Sequence, residues 1–221
     1  MRKCQGLFVL GQDMATRLIL VRHGETLWNA QKRYCGSTDI GLSAKGKRQA
    51  MRLKETLSGM SIRKIYTSGR KRAIQTAKII FQGAKINNMP DLNEMHFGIF
   101  EGLTYGEIVK KHPKLYKSWL GNPTEVKIPG AEEIKQFCLR VRESLSLILS
   151  RHQNESIVVI THGGPIRVIL CDALNYSMDM FWKIEQNLGA LNILEYSERS
   201  ALRVIKMNDT SHLLIKKSAN L

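Results

Sequence analysis

Leu18-Ile19-Leu20-Val21-Arg22-His23-Gly24-Glu25-Thr26, with Trp28 and Asn29 close behind, is the stretch from which the fold can be read. Four consecutive apolar residues run into an arginine, a histidine and a glycine. A short run of branched apolar residues stopped by glycine reads as a strand buried on both faces. Open α/β sheets bind ligands at the carboxyl ends of such strands, so Arg22 and His23 stand where chemistry is expected. The pattern returns at Ser156-Ile157-Val158-Val159-Ile160-Thr161-His162-Gly163-Gly164, followed by a helix expected over residues 166–174. A third, shorter strand, Lys64-Ile65-Tyr66-Thr67, ends at Ser68 and feeds a helix through Arg70, Arg72, Ala73, Thr76, Ala77 and Ile80.

Between these segments, Ser43 is placed to cap a helix that keeps its apolar spacing to about Leu57. Residues 87–90 read as a turn, 91–102 as irregular, and 103–120 as short helices broken at Pro113. Ile134, Phe137, Cys138, Val141, Leu145, Ile148 and Leu149 trace one face of a long helix. Two last strands, 191–196 and 202–205, pair across a turn near 198–200, and the chain from Ser211 is expected to be an exposed end. Strands alternating with helices predict one α/β domain around a mostly parallel sheet. Residues 1–14 read as a dispensable N-terminal extension, 15–212 as the catalytic domain and 213–221 as a tail.

Length and composition fit one soluble domain: 221 residues, 43% hydrophobic, with no apolar span of membrane length. The net charge of +15 suits an anionic partner, but taken alone it is better read as a solvated lysine-rich surface. Cys4, Cys35, Cys138 and Cys171 lie far apart without zinc-ligand spacing, which points to a reduced, cytoplasmic setting. Cys35, in the loop after Asn29, is expected to be a packing thiol.

If the three strands are parallel, His23, Ser68 with Arg72, and His162 converge on one sheet edge. Helix N-termini and glycine turns offer N–H groups to an anion there, and Arg22 and Arg72 supply forks for phosphoryl oxygens. Arginine beside His23 disfavours a metal, so no metal and no cofactor is expected. A neutral His23 could attack phosphorus in line, with Arg22, Arg72 and His162 stabilising the equatorial oxygens. The departing alkoxide needs a proton donor, and Glu94, Glu101 and His96 are all candidates by spacing.

Residues 20–26 with Trp28 and Asn29 resemble the signature of the histidine phosphatase superfamily, also called phosphoglycerate-mutase-like. Four further segments match in order: Leu42-Ser43 to Gly46 with Gln49-Ala50, Thr67-Ser68 to Arg72-Ala73 with Thr76-Ala77, Leu92 to Gly102, and Thr161-His162-Gly163. The resemblance spans about residues 17–212 and implies a three-layer α/β/α sandwich working without a metal. It implies His23 as the phosphorylated nucleophile and Glu94 as proton donor and then acceptor. Arg22, Arg72 and His162 become phosphate ligands, assisted by Asn29 and the Gly163 N–H. Glu101 becomes a loop or helix-start carboxylate, and His96 and Phe97 packing residues.

The short segment between Glu94 and His162 favours hydrolysis over phosphoryl return. Residues 92–98 with Glu101-Gly102, and the end of the chain, resemble the α-ribazole phosphatase branch of cobalamin biosynthesis. α-Ribazole 5′-phosphate is therefore the first substrate expected. The alternatives are a phosphoserine or broad-specificity phosphatase, a phosphoglycerate mutase, or a silent phosphate-binding module. Glu133 stands where relatives often carry a serine. The basic residues Lys110, Lys111, His112, Lys114 and Lys117 read either as a lid greeting the ester or as a solvated face. A small phosphate ester is the expected partner, with neither nucleic acid nor membrane, and a homodimer is left open.

Overall fold

The computed structural model describes residues 15–197 and 201–214. The extension 1–14, the turn near 198–200 and most of the tail lie outside the described residues. In chain order the elements are β1 (Thr16–Arg22), α1 (Leu27–Ala30), α2 (Ala44–Leu57), β2 (Lys64–Thr67), α3 (Lys71–Ile80) and β3 (Asn87–Asn88). Then follow α4 (Tyr105–Lys111), α5 (Pro113–Gly121), α6 (Ile134–Arg151), β4 (Ser156–Thr161), α7 (Gly163–Ala173), β5 (Leu191–Ser197) and β6 (Ala201–Asp209). Short 3-10 turns at Pro90–Leu92 and Gly98–Phe100 shape the segment around Glu94.

The strands form one mixed sheet in the order β3-β2-β4-β1-β5-β6. β1, β2, β3 and β4 run parallel, while β5 lies antiparallel to β1 and β6 antiparallel to β5. The apolar runs of β1 and β4 are explained by burial on both faces. Leu18, Leu20, Ile157 and Val159 point into a core beneath α6 and α7. Ile19, Val21, Val158 and Ile160 point the other way, onto Ala50, Leu53 and Leu57 of α2 and Ala73, Ala77 and Ile80 of α3. Helices on both faces make the expected three layers.

Four boundaries differ from the sequence reading. Residues 87–88 form β3 rather than a turn, because the Asn87 amide donates to the Ile65 carbonyl (3.1 Å) and the Met89 N–H to that of Thr67 (2.7 Å). Helix α7 starts at Gly163, directly after His162, since Pro165 in a first turn gives up no intrahelical bond. β6 runs on to Asp209 through register shifts against β5, with Asn208 at a positive φ, which masks its alternation. The end at Ser211–Leu213 is docked, His212 Nε2 lying 3.0 Å from the Gly189 carbonyl, and Leu214 is exposed.

One close approach ties α2 to the loop after β1. Ser43 caps α2 through the Gly46 N–H (3.1 Å), and its hydroxyl donates to Glu25 (2.9 Å). A Cβ on Gly46 would stand 2.1 Å from the Glu25 carbonyl oxygen. Alanine in place of glycine in a helix ordinarily stabilises by about 1 kcal/mol. Here Gly46→Ala must push backbone against backbone, so urea denaturation should show a loss of about 1–3 kcal/mol.

Candidate active site

The register of the sheet assembles the site. Arg22 pairs with Thr161, so His23 and His162 leave adjacent parallel strands at the same level. The His23 N–H bonds the Thr161 carbonyl (3.0 Å), and Ser68, off the end of β2, bonds that of Ile160 (3.3 Å). The two imidazoles meet edge to face with centroids 5.0 Å apart. His23 Nδ1 lies 2.7 Å from the Gly24 carbonyl oxygen, which can only accept. The proton therefore sits on Nδ1, and Nε2 carries a free lone pair.

His162 is held differently. Arg72 Nε donates to its Nδ1 (3.1 Å), so the ring proton is on Nε2, which donates to Ser68 Oγ (2.7 Å). The Arg72 fork also bonds the carbonyls of Thr38 (2.9 Å), Gly36 (2.8 Å) and Cys35 (3.4 Å). Both residues are buried, standing behind His23 rather than on the cleft wall. Arg22 donates through Nη1 to the Gln186 carbonyl (2.5 Å), while its buried Nε has no protein partner. Asn29 completes a capping box with Thr26 through its Oδ1 (3.0 Å), which leaves its amide NH₂ for the cleft it lines.

Glu94 is fixed from several sides. One carboxylate oxygen accepts from its neighbour's Met95 N–H (3.0 Å), the other from the Gly164 N–H at the start of α7 (3.1 Å). A Cβ on Gly164 would fall 2.1 Å from Glu94 Oε1, so glycine is needed there. The backbone before Glu94 is tied down by Thr161 Oγ1, which donates to the Leu92 carbonyl (2.5 Å), and by Arg140 of α6. Arg140 donates to the carbonyls of Asp91 (2.5 Å) and Asn93 (2.9 Å) and makes a two-point bond to Glu132 (2.6 and 2.8 Å).

Arg22, His23, Asn29 and Glu94 line a cleft of about 370 Å³, together with Arg167, Lys32 and Arg33 on its basic side and Tyr34, Phe97 and Trp182 as an aromatic wall. Arg167 Nε is anchored on the Ile184 carbonyl (2.8 Å), and its guanidinium lies 5.7 Å from both the Phe181 and Trp182 rings. Sequence reasoning missed Arg140 and Arg167. The signal for Arg167 was present, as a lone charge among Ile166, Val168, Ile169 and Leu170. Arg140 fell on the polar side of its helix and looked solvated.

Lys110, Lys111, Lys114 and Lys117 are exposed and away from the cleft, as a solvated face would be. Glu133 pairs with Lys127 (2.5 Å) outside the cleft. Burial raises the Cys35 thiol above its usual range, so it carries no activated thiolate. Among the described residues, no three His, Cys, Asp or Glu side chains gather as a metal site would require.

Burial first, then the Arg72 and Arg22 charges, hold His23 well below its ordinary pKa; His162 is lowered by burial, Arg72 and His23. Burial and the neighbouring Arg167 bring Arg22 down to about 10, still a cation at neutral pH. Among the described residues neither Arg22, Arg72 nor Arg167 has a carboxylate within ion-pair distance. Arg72 is buried and Arg22 and Arg167 are half-buried, and guanidinium groups withdrawn from water without a carboxylate suit an anion. Because both histidines are neutral when folded, the unfolded chain binds protons that the native state refuses. Their stabilising contribution is complete above about pH 6.5 and is lost as pH falls below it. Urea midpoints should therefore drop between pH 7 and 5, less steeply in His162→Gln.

A profile of the histidine phosphatase superfamily (branch 1) matches residues 18–210. Phosphoserine phosphatase 1 of Hydrogenobacter thermophilus is 32% identical over 199 residues, covering 89% of this chain and 94% of that protein. The phosphoserine phosphatase of Entamoeba histolytica, solved with 3-phosphoglyceric acid, superposes with a TM-score of 0.81 at 27% identity, covering 90% of this chain and all of that one. The α-ribazole phosphatase of Shigella flexneri gives 0.78 at 25%, covering 87% of this chain and 96% of that one. No helix among the described residues is long and apolar enough to cross a membrane. With the site's two imidazoles and its glutamate set by the same segments that the profile spans, the chain belongs to branch 1 of the histidine phosphatase superfamily.

Proposed function

We propose that the protein hydrolyses small phosphomonoesters through a phosphohistidine at His23, with L-phosphoserine-like esters as its leading substrates. The observation that carries this reading is a neutral His23, its one proton tied to the Gly24 carbonyl, beside the buried Arg72 and the half-buried Arg22 and Arg167, which have no ion-pair partner among the described residues. Its Nε2 lone pair attacks phosphorus in line, and the P–O bond to the leaving group breaks. Arg22 Nε and the Asn29 amide donate to the phosphoryl oxygens. Arg72 adds its charge from behind, held by His162. Glu94 gives the departing alkoxide its proton, then takes one from the water that cleaves the phosphohistidine.

The basic side of the cleft supports a leaving group with a second anion. Lys32 and Arg167 are additional to the groups assigned to the phosphoryl oxygens, whereas Arg33 is already paired with Glu107 (3.2 Å). Phosphoserine and 3-phosphoglyceric acid, the compounds in the relatives' names, both carry a carboxylate. A second reading, α-ribazole 5′-phosphate, is favoured by the aromatic wall of Tyr34, Phe97 and Trp182, against which a flat ring would stack.

Comparing kcat/KM for L-phosphoserine, α-ribazole 5′-phosphate, 3-phosphoglycerate and p-nitrophenyl phosphate should place L-phosphoserine first. Equal values throughout would leave a broad esterase. Arg167→Met should cost L-phosphoserine about tenfold more than p-nitrophenyl phosphate, the worth of one charge-assisted bond. His23→Ala should lose all measurable turnover while keeping its circular dichroism, and an active variant would overturn the mechanism. Gly164→Ala, which displaces the Glu94 carboxylate, should lower kcat about a hundredfold.

A further inference from the structure

We propose that Glu101 is a positioning residue for Arg72, acting through the backbone of residues 35–38; this rests on the proposed role of Arg72 in lending its charge to the phosphoryl group. Glu101 follows the turn Gly98–Phe100 and is half-buried. Its oxygens accept from the Gly36 N–H (3.0 and 3.1 Å), the Thr38 N–H (3.0 Å) and the Thr38 hydroxyl (2.8 Å). All of these donors belong to one strip of backbone.

The opposite side of that strip holds the guanidinium. The carbonyls of Cys35, Gly36 and Thr38 accept from Arg72 Nη2 and Nη1. The Gly36 N–H bound by Glu101 and the Cys35 carbonyl bound by Arg72 are two ends of a single peptide group. A carboxylate on one end and a cation on the other polarise that group in the same sense, so each bond strengthens the other. Arg72 in turn meets His162 (3.1 Å), whose ring stands against His23. Glu101 thus fixes, two contacts away, the arginine that holds the ring facing the nucleophile.

Packing makes the strip a wedge rather than a free loop. A Cβ on Gly36 would stand 2.0 Å from the Met95 carbonyl oxygen and 3.1 Å from Glu101 Oε2. The strip is pressed between the segment carrying Glu94 and the Arg72 side chain, and Glu101 sets its orientation about that contact. A carboxylate serving stability alone would have no reason to spend every bond on the residues that hold Arg72.

The test is a double-mutant cycle on the full chain, read by calorimetric binding of inorganic phosphate and by turnover of p-nitrophenyl phosphate. Glu101→Ala should weaken phosphate binding about tenfold and lower kcat by up to about a hundredfold. Glu101→Gln should stay within about threefold, because three of the four bonds converge on Oε1, which an amide oxygen can replace. In an Arg72→Ala background, Glu101→Ala should change phosphate affinity no further. Tyr66→Phe, which loses a bond to His152 remote from the cleft, serves as a comparator that lowers Tm without moving phosphate affinity.

Unchanged phosphate affinity in folded Glu101→Ala would overturn the inference, as would the same factor lost with and without Arg72. If Glu101→Ala fails to fold, Glu101→Asp, whose carboxylate stops short of the strip, replaces it in the cycle with the same expectations. Wild-type protein that binds phosphate but cleaves no ester would refute the hydrolytic reading and leave this cycle to decide on Glu101. Wild-type protein that binds no phosphate would overturn both.

Discussion

The pairing of β1 with β4 is the constraint on which the rest of the molecule depends. Parallel strands in register deliver the residues just past their ends to the same height, and here Arg22 is matched with Thr161. A slip of one residue would turn every side chain of β1 to the opposite face and carry His23 away from His162. Such a slip is costly because both faces of β1 are fully covered, with Leu18, Ile19, Leu20 and Val21 all inaccessible to solvent. The core thus enforces the alignment of the two imidazoles.

Charge is the second theme. Three guanidinium groups stand around the cleft, Arg72 buried and Arg22 and Arg167 half-buried, and each is held by carbonyl oxygens rather than carboxylates: Arg22 by Gln186, Arg72 by residues 35–38, Arg167 by Ile184. Carbonyl dipoles orient a cation without cancelling it, so the field is kept for an incoming anion. Burial, reinforced by this field, keeps both histidines neutral, which a nucleophilic imidazole requires. Binding and activation arise from one arrangement of charge.

Around this centre the protein spends much of its structure on aiming a few groups. Glu94 is held by two N–H bonds, and the chain before it by Thr161 and Arg140. On the opposite flank, Glu101 holds the strip that holds Arg72. Glu101 and Arg140 were undervalued when read from sequence, because what they do depends on backbone atoms of segments far along the chain. A carboxylate accepting from N–H groups leaves no trace in residue spacing.

The α/β architecture, the buried strands, the cap at Ser43 and the long helix α6 were legible in the amino-acid order, since each rests on periodicity or on a local hydrogen bond. The candidate residues His23, Arg72, Glu94 and His162 were legible too, as polar groups at strand ends and in motifs that travel together. The choice of Glu94 over Glu101 as proton donor came from family resemblance, not from spacing. The two-residue β3 and the bulged end of β6 were not legible, because short or irregular strands carry no alternation to detect. What only the tertiary structure decided was the state of each group: which nitrogen of His23 is free, that both nitrogens of His162 are engaged, and that Arg167 and an aromatic wall complete the cleft. Sequence specifies which groups reach the edge of the sheet, but tautomer, charge and aim are set by neighbours that only the folded chain brings within hydrogen-bonding distance.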